Sequence, residues 1–236
     1  MLELPGAGQD LAGWRSLVER LKKPKEPVNI ALVGKYVELP DSYLSVREAL
    51  CHAALFHDRD VHLQWVHSED LERDGTEHLL KSAQGIVVPG GFGNRGIEGM
   101  ILAAKYAREN HVPYFGLCLG LHIMVTEFAR HVFHSQEPNS TEFDSHTRYP
   151  VISMLPEQKT VTNKGGTMRL GIYPCRLVPG TLAAAAYGAA EVCERHRHRY
   201  EFNNDFRQSL FEAGMQPGGL SPDGRLVEIV ELVDHP

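Results

Sequence analysis

An alternation is the pattern that most narrows the fold. Short, mainly apolar segments at 28–34, 61–66, 85–88 and 112–117 are separated by stretches with helical periodicity at 43–56 and 97–110. Segments that short, closed by Gly or Pro and rich in Val and Ile, suit strands buried on both faces. Strands alternating with helices make a parallel sheet, because each parallel return needs a crossover. The expectation is an α/β domain of three layers, with a mostly parallel central sheet and flanking helices. A short helix at 79–83 and a longer one at 123–132 belong to the same alternation.

The pattern changes at both ends. Trp14, Leu17, Val18 and Leu21 stand at i, i+3, i+4 and i+7, which predicts an amphipathic helix over 10–21. Two prolines and alternating charge in Lys22-Lys23-Pro24-Lys25-Glu26-Pro27 then break regular structure. This divides the chain into a helix and linker over 1–27 and a domain over 28–236. After Pro150 come short extended pieces with turns at Lys164-Gly165-Gly166, Pro179-Gly180, Pro217-Gly218-Gly219 and Pro222-Asp223-Gly224. A helix over 206–213 and a last strand over 226–232 close the pattern.

Composition excludes several classes. With 42% hydrophobic and 23% charged residues over 236 positions, disorder, collagen and coiled coil do not apply. The longest strongly apolar run, 182–190, falls short of the roughly 20 residues a membrane helix needs. The first residues carry neither a basic nor an apolar leader region. A net charge of -6 provides no basic footprint for nucleic acid. Cysteines at 51, 118, 175 and 193 show no C-x-x-C spacing, so free thiols in a reducing, cytoplasmic setting are expected.

Two motifs carry chemistry. In the segment 114–122, an apolar strand runs through Gly116-Leu117-Cys118-Leu119-Gly120 into a helix, the thiol form of a nucleophile elbow. Glycines on either side permit the sharp turn, and the helix starting beside Cys118 favours a thiolate. An isolated Cys is more often an apolar filler, the reading adopted for Cys51, Cys175 and Cys193. The second motif, Pro89-Gly90-Gly91-Phe92-Gly93, follows a strand at the edge where α/β sheets bind ligands, and could aim backbone N–H groups at an oxyanion. Alone it would pass for a plain loop.

In this order and 27 residues apart (Gly91 to Cys118), the two motifs resemble the class I (triad) glutamine amidotransferase domain, which has a flavodoxin-like fold. Further stretches are similar to the CTP synthase family: Val33 to Tyr43, Pro89 to Gly99, Ala104 to Asn110, Asn139-Ser140-Thr141-Glu142-Phe143, Gly165 to Gly171, and Glu194-Arg195-His196-Arg197-His198-Arg199-Tyr200. The resemblance implies that Cys118 attacks the side-chain amide of L-glutamine, giving a γ-glutamyl thioester and ammonia. It implies an oxyanion hole from the N–H groups of Gly91 and Leu119. Glutamine would be held by Gly91, Phe92, Leu119, Gly120, Leu121, His122, Glu142 and Arg199, with Arg199 on the α-carboxylate and Glu142 on the α-ammonium. A synthetase domain, the implied partner, would use the ammonia to aminate UTP to CTP. ATP, UTP, Mg and GTP are implied only for the full-length family enzyme, and no cofactor for this domain. Without the resemblance, Arg195 to Arg199 would read as a solvated cationic edge and Glu142 as an ordinary loop carboxylate.

Three departures from the family accompany the match. The synthetase domain is not in the sequence. The family's triad His and Glu come from a Phe-His-Pro-Glu-Phe stretch after the last strand, whereas this sequence closes on Asp234-His235-Pro236. His235 is therefore read as a turn residue, and the chain as a truncated, impaired glutaminase domain. The alternative is an inactive amidotransferase-like paralogue with a binding or regulatory role. Lastly, Gly120-Leu121-His122 stands where the family has Gly-Met-Gln, which bears on glutamine affinity. Cys118 and His122 are four residues apart, neighbours on a helix face, so His122 either supports the thiolate as a partial base or is a tolerated pocket substitution. No metal site is expected: His52, His57, His62 and His67 recur every five residues, which fits no usual ligand spacing, and His131 with His134 lacks a third ligand nearby in sequence.

Overall fold

A computed structural model describes residues 10–73, 76–154 and 168–236. The first half is the expected alternation. Strands β1 (Glu26–Gly34), β2 (Arg59–His67), β3 (Gly85–Val88) and β4 (Tyr114–Gly116) form one parallel sheet in the order β2-β1-β3-β4. Helices α2 (Leu44–Phe56), α3 (Ile97–Glu109) and α4 (Leu119–Phe133) are its crossovers and coverings. The order reverses between β1 and β3, and such a switch point opens a crevice at the carboxyl ends of the strands. The segments after β1, β3 and β4 all meet there.

Strand β1 begins at Glu26, inside the expected linker. Pro27 is tolerated because β3 pairs with β1 only from Ile30 onward, so no ladder bond on that side needs the missing N–H. Helix α1 (Ala12–Lys22) precedes it and buries none of its side chains, with Trp14 68% exposed. The helix expected over 79–83 is instead a 3-10 turn at Thr76–Leu79 followed by turns, since so short a run cannot nucleate an α-helix. Helix α4 starts four residues earlier than its apolar periodicity suggested, directly after Cys118.

The second half is a separate, largely antiparallel region. Strands β7 (Arg169–Leu177), β8 (Glu191–His198), β10 (Met215–Leu220) and β11 (Val227–Leu232) form a sheet in the order β11-β10-β7-β8. A smaller sheet joins β5 (Asn139–Ser140), β6 (Pro150–Met154) and β9 (Tyr200–Phe202). Helices α5 (Leu182–Tyr187) and α6 (Arg207–Glu212) complete the chain.

Helix α4 joins the halves because it is apolar on two faces. Leu119 and Ile123 pack with Val33, Val88, Met100 and Ala104 under the parallel sheet. Val125, Phe128 and Ala129 pack on Val151, Ile152, Phe202 and Leu210 of the second region. A helix apolar nearly all round is buried on both sides, and this one fixes the Cys118 end against both halves.

Candidate active site

Cys118 occupies the tight bend between β4 and α4 with φ 54° and ψ -101°, a backbone conformation that a residue with a Cβ rarely adopts. Strain of this kind is of order 1–3 kcal/mol and marks places where geometry serves function. The strain falls on the Cys, and the flanking glycines serve close packing. A Cβ on Gly120 would lie 2.1 Å from the Val88 carbonyl oxygen, and one on Gly116 would lie 2.3 Å from the Gly120 carbonyl carbon. Glycine at both positions lets α4 close onto β3 and β4, and the cysteine absorbs the turn.

The thiol opens to solvent at the mouth of a recess while protein surrounds most of its sulfur. Burial raises its pKa above the ordinary thiol value, and the Leu119 N–H opposes that shift. The carboxylates of Glu142 and Glu201 raise it further. The expected thiolate-favouring helix start is present but outweighed, because desolvation penalises the anion more than one N–H stabilises it.

Gly91, Phe92, Cys118, Leu119, His122, Glu142 and Arg199 line this one recess, together with Met168, His198 and Tyr200. Gly120 and Leu121 are not part of it. Gly120 is packed beneath on Val88, and Leu121, one helical step on, faces a second cleft on the other side of Cys118. That cleft has a volume of about 620 Å³ and is also lined by Phe115, Met124, Glu201 and Val230.

Each wall is held by ordinary chemistry. Glu142 follows β5 in a turn where its N–H donates to Ser140 Oγ at 3.1 Å, and Arg130 fixes the preceding Pro138 carbonyl at 3.1 Å while pairing with Glu98 at 2.6 Å. Burial raises the Glu142 pKa, opposed by the Gly93 N–H and by the cations Lys35 and Arg199. The basic run divides by strand alternation: Arg195 and Arg197 point outward, whereas His196 and His198 turn inward. His198 Nδ1 lies 3.1 Å from the Tyr200 carbonyl and 3.3 Å from Glu201, and its Nε2 lies 2.8 Å from His196. Arg169 binds Glu228 at 2.9 Å and Glu201 at 3.3 Å, closing the network behind Arg199.

His122 is 6% exposed, and its Nδ1 is buried with no partner. Burial and the neighbouring His198 push its pKa down to about 3. A ring held neutral so firmly gives the thiol little basicity, which weighs against the partial-base reading. His235 lies outside this recess, with Nε2 3.0 Å from the Ala107 carbonyl at the end of α3, and lines the larger cleft. The resembling stretch at Gly165, Gly166 and Thr167 lies outside the described residues. Among the described residues no three His, Cys, Asp or Glu side chains cluster as a metal site would require. Sequence reasoning missed His198, Tyr200 and Met168 in the walls; the alternation of the basic run carried the signal for His198.

An elbow cysteine at a parallel-sheet switch point, facing a glycine-rich loop, defines a class of protein. The family model for glutamine amidotransferase class-I matches residues 38–235, and the chain belongs to that family. Within it the likeness is to CTP synthases. The CTP synthase of Dehalococcoides mccartyi strain 195 is 60% identical over 235 residues, covering 100% of this chain and 43% of the relative. That of Roseiflexus castenholzii is 60% identical over 228 residues, covering 96% and 41%. A solved structure, the Trypanosoma brucei CTPS glutaminase domain with bound acivicin, aligns with a TM-score of 0.79 at 36% identity, covering 87% of this chain and 81% of that one. The chain thus spans well under half the length of the curated relatives it matches. No helix among the described residues is long and apolar enough to cross a membrane.

Proposed function

We propose that this chain is the glutaminase domain of a CTP synthase and that Cys118 is its nucleophile. The observation that carries the reading is the strained Cys118 elbow facing a recess that joins the Gly91 loop to Glu142 and Arg199. The sulfur attacks the glutamine carboxamide carbon, and the oxygen takes the negative charge toward the N–H groups of Gly91 and Leu119. The C–N bond then breaks as the proton given up by the Cys118 thiol reaches the leaving nitrogen, ammonia departs, and water hydrolyses the γ-glutamyl thioester to glutamate, restoring the thiol. Arg199 and Glu142 present opposite charges to the α-carboxylate and α-ammonium of one amino acid.

General acid–base help, typically worth 10² to 10⁴ in rate, would come from the triad His and Glu of the family's Phe-His-Pro-Glu-Phe stretch. The 620 Å³ cleft beside Cys118, with His235 and Pro236 on its rim, has the room and the position to receive such a stretch. Ammonia would serve a synthetase domain that aminates UTP with ATP in the longer protein, and a cytoplasmic setting follows from that role. The test is glutamine-dependent ammonia release by the chain extended with that stretch, against its Cys118→Ala variant. Release from the first and none from the second is expected. No release from either overturns the enzyme reading in favour of an inactive, binding paralogue.

A further inference from the structure

Lys35 lies outside every role assigned above, yet it is buried to 2% exposure immediately after β1, at the switch point. Its backbone is fixed on both sides. The N–H donates to Tyr43 Oη at 3.1 Å, and the carbonyl accepts from Arg95 Nη2 at 2.7 Å. From this base the side chain runs beneath the glycine-rich loop. A Cβ on Gly91 would stand 3.7 Å from Lys35 Cδ and 3.8 Å from Cε, so the stem forms the floor on which Gly91 rests. The ammonium donates to the Phe92 carbonyl at 3.2 Å and to the Gly93 carbonyl, and lies 6.0 Å from the Phe143 ring centre.

The planar trans peptide makes this arrangement informative. The Phe92–Gly93 peptide has its carbonyl on Lys35, so its N–H must point the opposite way, and there the Gly93 N–H meets Glu142. One peptide plane is thus clamped between a buried cation and the carboxylate assigned to the substrate ammonium. We infer that Lys35 is the positioning residue of the oxyanion loop, holding the peptides at 91–93 so that the Gly91 N–H faces Cys118 and the loop stays in register with Glu142. The inference rests on the glutaminase reading, because it concerns the same recess. Lys35 itself does not line the recess and acts through the loop.

Two reagents separate this role from general support. A chloromethyl ketone analogue of glutamine first adds the Cys118 sulfur to its carbonyl carbon, placing charge on oxygen. The sulfur then displaces chloride, leaving a C–S bond in place of C–Cl. Iodoacetamide alkylates the same sulfur by direct displacement of iodide, with no oxyanion. Rates at Cys118 are read by peptide mass spectrometry for the parent chain and Lys35→Met. Loss of loop geometry is expected to slow the chloroketone about 10- to 100-fold while the iodoacetamide rate stays within about twofold. Both rates unchanged, or both falling together, would overturn the inference. A parent chain that takes no chloroketone would overturn the glutaminase reading instead. Lys35→Leu, which keeps an apolar stem over Gly91 but has no donor for the Phe92 and Gly93 carbonyls, carries the same test should the Met variant not fold.

Discussion

Replacing His122 by Gln removes a neutral, buried imidazole, and the consequence is measurable in how stability depends on pH. In the folded chain the ring's pKa is pushed down to about 3 by burial and by His198, against an ordinary value of 6.5. Between those values the unfolded chain holds a proton on His122 that the folded chain lacks. Stability therefore rises with pH across that window and is lost as pH falls. One proton is worth about 1.4 kcal/mol per pH unit, which accumulates to about 2 kcal/mol between pH 7.5 and pH 5. The Gln variant lacks this site, while His198 and Glu201 titrate in both chains and largely cancel in the comparison. Urea unfolding at pH 7.5, 6 and 5 should show the parent losing about 2 kcal/mol more than His122→Gln over that range. Parallel curves would mean that His122 is hydrated or already charged, and the account of the recess wall would fail.

Three further outcomes follow from the same geometry. Arg169→Met leaves Glu201 and Glu228, both nearly buried, without their cation, and should cost about 3–5 kcal/mol in denaturant unfolding. That cost should be smaller at pH 5 than at pH 8, because a carboxyl whose folded pKa is already near 7 escapes the penalty by taking a proton as pH falls. Gly120→Ala drives a Cβ to 2.1 Å from the Val88 carbonyl oxygen, so α4 must move off β3, with at least about 2 kcal/mol lost in thermal unfolding. Finally, because burial raises the Cys118 thiol pKa, its iodoacetamide rate should still be climbing at pH 9, and His122→Ala should leave that profile unchanged. A profile displaced toward high pH in the variant would restore His122 as a partner of the thiolate.

The parallel half of the fold was legible because its signals are local. Buried strands read as apolar runs, α3 and α2 read by period, and the elbow read by its glycines. Legibility ended where tertiary contacts decide. Nothing in Glu26-Pro27 announces a strand; only the absence of β3 beside that end permits one. The elbow motif announced a helix beside Cys118, but the apolar period alone began only at 123, because the first turn of α4 is set by packing on Val88. In the site, residues contributed by the motifs themselves were found, whereas Met168, His198 and Tyr200 arrive through β7, β8 and β9, whose pairing joins segments distant in sequence. Leu121, which the resemblance groups with the substrate-holding residues, faces the larger cleft that Cys118 and His122 also line. Lys35 stood in a recognised motif, but its role depends on the loop after β3, which the sequence does not bring near it.

Cys118 alone among the four cysteines is expected to meet glutamine. The direct measurement treats the chain with 6-diazo-5-oxo-L-norleucine, maps the adduct by peptide mass spectrometry, and repeats the reaction with excess L-glutamine. One adduct per chain, on Cys118, suppressed by glutamine and lost in Cys118→Ser, is the predicted result. Labelling that falls on Cys193 or Cys51, or labelling of Cys118 that glutamine does not suppress, would contradict it.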